Sequence, residues 1–316
     1  MKYLITGGTG FLGRYIVDSL QQKENEIFIT TRHPDKPNHI FADFEKCSLN
    51  LESLATLNAG VDELIVIHAA GKAHSVPKTE IEKKAFFAVN VEGTKLLLEQ
   101  LEKLCHLPQR FVFISSVSVY GRDAGININE DSSLDATDPY GISKIEAEQL
   151  ILKWGAEHKV VISIVRLPLV AGKNPPGNLR SMINGIKSGR YFRIGNGSAR
   201  KSMVWAADVA SILPSLAQKG GVYNLTDGYH PDFAELENEI TASMHVKPVK
   251  KMPFLLAYIA GIAGSILENI TNRKMPINIG MVQKITSPLT FSDQKARSEI
   301  GWNPSGVLEH INEMLS

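Results

Sequence analysis

Cysteine is nearly absent: the 316 residues hold two, Cys47 and Cys105. Two isolated thiols build neither a disulfide framework nor a zinc cluster, so no metal site is expected and a reducing compartment is implied. Charge of one sign is missing as well, because 34 basic and 33 acidic residues, mixed along the chain, leave a formal net charge of +1. Nucleic acid therefore has no electrostatic footprint to bind, whereas a small anionic ligand stays open. No apolar run reaches the roughly 20 residues that a bilayer span needs. The longest uncharged stretch, Met252 to Leu267, is interrupted by Gly261 and Gly264. It reads as a buried or interfacial helix; contact with an anionic membrane surface is the alternative, since Lys247, Lys250 and Lys251 flank it. A leader peptide has no room either, because Lys2 to Thr6 already reads as a strand running into a glycine turn. A cytoplasmic location is expected.

What the sequence does contain is alternation. Apolar runs of strand length (Tyr3–Thr6, Glu26–Thr31, Ile40–Ala42, Leu64–His68, Arg110–Ser115, Val160–Arg166) are separated by helix-length stretches (Phe11–Gln21, Leu51–Leu57, Ile81–Leu104, Tyr140–His158). Such alternation predicts an α/β fold with a doubly wound parallel sheet of the Rossmann type. The last of these helices opens after Asp138-Pro139, a capped start, and places Glu146, Glu148 and Lys153 on a polar face. Beyond Arg166 the rhythm fails. Loops rich in Gly, Pro and Asn separate short helical stretches (179–188, 208–218, 232–244, 254–269, 293–300 and 306–315). These predict a smaller, mainly helical C-terminal substrate-binding region over the sheet's carboxyl edge. Residues 1–170 form the expected dinucleotide-binding domain, with 200–225 returning to it, and 171–199 with 226–316 form the second region.

The run Thr6-Gly7-Gly8-Thr9-Gly10-Phe11-Leu12-Gly13 lies between a predicted strand and a predicted helix, the setting that a dinucleotide fingerprint requires. Gly7 allows the tight turn, Gly10 lets backbone approach a pyrophosphate, and Gly13 lets the helix pack on the strand. Phe11 and Leu12 open the helix whose N-terminus faces the phosphate charge. An acid at the end of the second strand would bind a ribose diol, while an arginine would suit a 2′-phosphate. Here Thr30-Thr31-Arg32-His33 offers Arg32 and no acid, which favours NADP over NAD unless Arg32 is merely solvated. Asp43, ending the third strand, is placed to meet an adenine amino group or to serve as a plain turn residue. Downstream, Tyr140 and Lys144 stand one helical turn apart. A phenol titrates near pH ~10 and needs a neighbouring cation to work as a base at neutral pH.

Thr6-Gly7-x-x-Gly10-x-x-Gly13, Ser116 and Tyr140-x-x-x-Lys144 together resemble the extended short-chain dehydrogenase/reductase family, in its nucleotide-sugar epimerase and reductase branch. Other segments fall in the family's order: Asp62 to Gly71 resembles the strand lining the cofactor, with Ala69, Ala70 and Gly71 at its end. Asn90-Val91-Glu92-Gly93-Thr94 resembles the helix behind it, and Phe111 to Gly121 the strand that presents Ser116. The resemblance implies that Ser116, Tyr140 and Lys144 are catalytic. Tyr140 would move the proton on a substrate oxygen, Ser116 would hydrogen-bond that oxygen, and Lys144 would hold the cofactor ribose and lower the tyrosine pKa. In the family's 4,6-dehydratases an Asp-Glu pair follows the serine position; Val117-Ser118 here argues against dehydration.

The resemblance extends to the substrate. Pro175 to Leu179 is similar to the family's nucleotide-sugar loop, with Asn178 at the diphosphate, and Gly195 to Val209 is similar to the nucleotide clamp, where Arg200 and Lys201 supply positive charge. Asp208 reads as the cap of the next helix, and the stretch around Trp302 as packing. Arg166-Leu167-Pro168-Leu169-Val170 lacks the asparagine of galactose epimerases, and Arg200-Lys201-Ser202 replaces their Arg-Asp pair. These departures resemble the branch of UDP-N-acetylamino-sugar 4-reductases and 4-epimerases. Arg32 with no acid beside it makes the expected activity hydride transfer at a sugar carbon, C4, by a UDP-sugar 4-ketoreductase serving polysaccharide precursor synthesis. The alternative is a UDP-sugar 4-epimerase with tightly held NAD. A remote alternative is a dinucleotide-sensing protein without catalysis. A homodimer is expected, through helices 81–104 and 140–158.

Overall fold

Strands rich in Val, Ile and Phe that are apolar on both faces belong in the middle of a parallel sheet covered by helices. The computed structural model describes residues 1–23, 25–36, 38–46, 48–49, 63–73, 77, 79–271 (Asn269 by its backbone alone), 275 and 277–316. Cys47 and the expected helix Leu51–Leu57 lie outside them.

The first half of the chain supplies β1 (Lys2–Thr6), α1 (Phe11–Gln21), β2 (Glu26–Thr31), β3 (His39–Asp43), β4 (Ser48–Leu49), β5 (Leu64–His68), α2 (Glu80–Phe87), α3 (Gly93–Leu101), β6 (Arg110–Ser116), β7 (Gly125–Ile128) and α4 (Pro139–His158). There follow β8 (Val161–Leu167), β9 (Leu169–Ala171), α5 (Gly177–Lys187), β10 (Phe192–Ile194), β11 (Met203–Trp205), α6 (Ala206–Lys219), β12 (Gly221–Asn224), α7 (Phe233–Ser243), β13 (Lys250–Met252), α8 (Phe254–Thr271), α9 (Ile279–Thr286), β14 (Leu289–Phe291), α10 (Gln294–Ile300) and α11 (Ile311–Leu315). Eight strands form one sheet in the order β12-β8-β6-β5-β1-β2-β3-β4. All its pairings are parallel except β3 with β4. The order reverses between β1 and β5, and ligands of open α/β sheets bind beyond the carboxyl ends of the strands at such a switch.

Successive residues of β1 face opposite sides: Tyr3 and Ile5 pack with Ile16, Leu20, Leu213 and Leu216 from α1 and α6. Leu4 packs instead with Leu97, Leu101, Ala147, Ile151 and Trp154 from α3 and α4. A third core, with Leu179, Met182, Trp205, Leu236, Ile240 and Ile311, holds the C-terminal helices together. The paired short strands β9–β11 and β10–β13 sit in this part, where the sequence predicts helices and loops alone, while β7 and β14 form a small cluster of their own with Val119, Tyr120 and Phe291.

The expected continuous helix Ile81–Leu104 is divided. Thr79 caps α2, and a π-turn, Ala88–Glu92, separates it from α3. Wide turns of this kind concentrate at functional sites. Here the turn presents the buried Asn90, whose carbonyl accepts from the Thr94 hydroxyl at 2.6 Å.

Candidate active site

Gly7 has φ +71°, and a Cβ there would lie 2.6 Å from the Ala70 nitrogen; at Gly13 it would lie 2.0 Å from the Gly7 carbonyl oxygen. Only glycine lets β1, α1 and the end of β5 approach this closely. Gly10 precedes α1 in an extended conformation with no side-chain cap, so first-turn N–H groups remain for an anion. Beside this turn is a cavity of about 320 Å³ lined by Gly7, Gly10, Arg32, Asp43, Ala70 and Gly71, together with Thr30, Thr31, Glu45 and Lys72. Six residues expected at the cofactor thus share one wall. Phe11 and Leu12 are half-buried in α1, and Ala69 donates its N–H to the Thr6 carbonyl at 3.1 Å. A cradle in which added methyl groups would collide with backbone, with a cation at the end of β2, fits a dinucleotide.

Behind the cradle runs a buried relay. The Thr94 hydroxyl donates to Asn90, so its oxygen accepts from Nε2–H of His68 at 2.9 Å. That leaves Nδ1 to accept from the Thr6 hydroxyl at 2.5 Å, while Thr6 accepts the Ala70 N–H at 3.2 Å. His68 is 1% exposed, and burial, with Lys144 adding repulsion, pushes its pKa down to about 3. It is neutral with one tautomer. Asn90 accepts the Lys72 N–H at 2.8 Å and donates to Lys72 O at 3.1 Å and to Ser143 Oγ at 2.9 Å. Ser143 in turn donates to the Tyr140 carbonyl at 2.8 Å.

Helix α4 begins as expected: Asp138 accepts the N–H groups of Tyr140 and Gly141, each at 3.1 Å, with Pro139 in the first turn. Tyr140 is partly buried against Phe86, ring centroids 6.0 Å apart. Burial raises its pKa, and a hydrogen bond with Ser116 counters part of that rise. The lowering expected from Lys144 comes here from Ser116. Lys144 is 5% exposed, donates to the Ile114 carbonyl at 2.9 Å and lies 4.5 Å over the Phe113 ring. Burial brings its pKa down to about 8 against the opposing pull of Glu148. A Cβ on Gly71 would come within 3.3 Å of its Nζ, so the lysine lies behind a residue that lines the 320 Å³ cavity. Ser116 accepts the Ser118 N–H at 3.2 Å within a 3-10 turn that carries no acid.

Sequence reasoning missed the support of this helix. Glu148, expected on a polar face, is buried: it accepts from Arg166 at 3.1 and 2.7 Å and from Ser115 at 2.5 Å. Arg166 continues to the Tyr120 hydroxyl at 3.1 Å, which donates to Asn224 at 2.8 Å. The available signal was spacing, since Glu148 stands one turn beyond Lys144 and must share its inward face.

The residues expected at the substrate are more scattered. A second cavity, of about 470 Å³, is bordered by Tyr191, Arg193, Asn196, Phe233, Glu237 and Phe254. Asn178, exposed on α5, does not line it, and neither do Arg200 and Lys201. Arg200 donates to the Tyr229 and His230 carbonyls at 3.2 and 3.0 Å, and Lys201 to the Lys284 carbonyl at 2.8 Å. Arg193, buried and paired with Glu237, is the cation at this cavity. Asp208 does not cap α6; it accepts from the N–H and hydroxyl of Ser305 at 2.9 and 2.6 Å. Cys105 is free and exposed, and no cluster of metal-ligating side chains occurs among the described residues.

A glycine cradle at a sheet's switch point, with serine, tyrosine and lysine beside it, defines an NAD(P)-dependent enzyme of the extended short-chain dehydrogenase/reductase type. The model of the NAD dependent epimerase/dehydratase family matches residues 3–226, and the chain belongs to that family. An Escherichia coli O157:H7 relative, N-acetyl-alpha-D-glucosaminyl-diphospho-ditrans,octacis-undecaprenol 4-epimerase, is 26% identical over 93% of this chain and 88% of its own. The UDP-glucose 4-epimerase of Vibrio cholerae is 25% identical over 97% and 92%. Among solved structures, MoeE5 in complex with UDP-glucose and NAD superposes with a TM-score of 0.75 at 22% identity, covering 99% and 97% of the two chains.

Proposed function

We propose that the protein is a 4-epimerase of a sugar diphosphate, of the UDP-sugar kind or an equivalent, serving polysaccharide precursor synthesis. The carrying observation is that Tyr140 hydrogen-bonds Ser116 while Lys144, one helical turn on, reaches Gly71 at the glycine-walled cavity. Two relatives that align over more than nine-tenths of the chain bear the name 4-epimerase, which supports this order of the two readings.

The dinucleotide, when bound, takes up and returns the hydride. Gly7, Gly10 and the first turn of α1 would hold its diphosphate, and Lys144 its nicotinamide ribose. Tyr140 moves the proton on the C4 oxygen, and Ser116 hydrogen-bonds the same oxygen. Val117 and Ser118 stand where elimination of water would require a second acid and base.

A second reading, net reduction of a 4-keto sugar with NADPH, draws on two observations. Arg32 lines the cavity after a strand end without a carboxylate, and Tyr140, its pKa raised, carries the proton that a keto oxygen must receive. With Ser116, Tyr140 and Lys144 all in place, a non-catalytic dinucleotide sensor is the weakest reading. The expected homodimer, through α2, α3 and α4, belongs to the same proposal; a monomer mass by light scattering ends it.

The test is to incubate the purified protein with UDP-glucose and UDP-N-acetylglucosamine and follow 4-epimers by NMR without added nicotinamide. Interconversion supports the epimerase. Consumption of NADPH with a UDP-4-keto sugar, and no interconversion, moves the assignment to the reductase. Tyr140→Phe is expected to slow either reaction by about 10²–10⁴-fold, and undiminished turnover would sink the catalytic assignment. Tighter binding of NAD than of NADP would refute the role given to Arg32.

A further inference from the structure

Helix α8 is built inside out. It buries Ala257, Gly261 and Gly264, spaced to form one narrow stripe, against the segment that leads into α9. A Cβ on Gly264 would stand 1.9 Å from the Ile277 carbonyl oxygen, so the two backbones touch. Its large side chains point away from the protein: Leu255 and Ile270 are 67% and 73% exposed, and Phe254, Leu256, Ile259 and Ile266 are exposed as well. An ordinary surface helix buries its large apolar residues and exposes its polar ones. A continuous exposed apolar face of this kind marks an interaction surface.

The charges around it identify the partner. Between Glu239 and Glu268 the chain has no acidic residue, while Lys247, Lys250 and Lys251 are exposed just before α8. Strand β13 carries Lys250 and Lys251 beside β10, where Phe192 is also exposed, and exposed Lys187 and Arg190 lie just before β10. A second copy of the chain is a poorer occupant, because a two-fold interface pairs the patch with itself, and its lysine flank has no carboxylate between Glu239 and Glu268 to meet a copy's cations. An anionic bilayer matches both halves of the patch, apolar side chains for the acyl boundary and lysines for the headgroups. Among the described residues no helix is long and apolar enough to cross a membrane, so α8 lies on the surface.

We propose that α8, with Phe192, Lys250 and Lys251, is an interfacial helix that seats the protein on an anionic lipid bilayer. Phe254, at its first turn, also borders the 470 Å³ cavity. Seating therefore brings that cavity to the membrane and, resting on the function proposed above, suits a sugar diphosphate carried on a membrane lipid.

The full-length protein is mixed with vesicles of phosphatidylcholine alone or with 30% phosphatidylglycerol, and the bound fraction is read by flotation. Binding is expected on the anionic vesicles and to weaken in ~0.5 M salt, where the Debye length falls to a few ångström. Lys250→Glu with Lys251→Glu should lower partitioning by at least about 30-fold, and Leu255→Glu with Ile259→Glu should abolish it. These variants should interconvert a soluble UDP-sugar at the parental rate, which separates failed docking from failed chemistry. No binding by the parent, or binding untouched by Leu255→Glu with Ile259→Glu, overturns the proposal. So does a dimer mass that the same pair of substitutions converts to a monomer without any effect on vesicles.

Discussion

Helices α4 and α8 are nearly the same length, 20 and 18 residues, and their burial runs in opposite senses. The first turns Ser143, Lys144 and Glu148 inward and leaves Leu152 exposed; the second turns glycine inward and leucine outward. Hydropathy alone explains neither helix. Each inward polar group of α4 finds a partner, Lys144 and Glu148 in the sheet and Ser143 at Asn90 and the Tyr140 carbonyl, so desolvation is offset by hydrogen bonds and, at Glu148, an ion pair. Helix α8 meets backbone at close range, which admits only small residues, and its large side chains have no site left within the fold.

The comparison breaks most visibly at Glu148. Its side chain and that of Arg166 are 2% and 6% exposed, and removing one member of a buried pair costs about 3–5 kcal/mol. Glu148→Ala should lose that much in urea unfolding, and Lys144, deprived of the carboxylate that raises it, should titrate below about 8. A loss under 1 kcal/mol would show that Arg166 finds its compensation elsewhere.

His68 sharpens the same contrast through pH. Its folded pKa lies below its ordinary value, so below pH 6.5 the unfolded chain binds the proton first and stability falls with pH towards 3. The contribution is about 1.4 kcal/mol per pH unit, or roughly 2 kcal/mol between pH 6.5 and 5. In His68→Gln that slope should disappear. A slope equal to the parent's in denaturant titrations at the two pH values would assign the acid sensitivity to other groups.

The smallest effect belongs to α8. Leu255→Ser removes an exposed side chain and should shift stability by less than about 0.5 kcal/mol, whereas the same truncation at buried Leu97 leaves a cavity and costs several. Equal thermal shifts for the two variants would mean that the Leu255 face is covered in solution.

Much of the nucleotide half was legible because its signals are local. The glycine turn, the alternation of strands and helices and the Asp138-Pro139 start each depend on a few adjacent residues. Glu148 was misread because polar spacing looks the same whether a helix faces water or a buried arginine; only its register with Lys144 distinguishes the two. Strands β9, β10, β11, β13 and β14 hold three residues each, too short for a period to emerge. Arg193 was passed over for Arg200 and Lys201 because its burial depends on Glu237, 44 positions away. The exposure of α8 was open for a related reason, since glycines in an apolar run mark a close approach without saying which face remains outside.

The neutral ring of His68 joins the two halves of the cleft. Its hydrogen bonds reach the glycine turn through Thr6 and the start of α4 through Thr94, Asn90 and Ser143. The Asn90 carbonyl can only accept, so the Thr94 hydroxyl donates to it and takes the Nε2 proton of His68, which leaves Nδ1 to accept from Thr6. A second proton on the ring would reverse the demand at Thr6 and leave two donors face to face. One proton thus links the glycine turn to the helix that carries Tyr140, and acid would break the link on the Thr6 side while the bond to Thr94 stayed made.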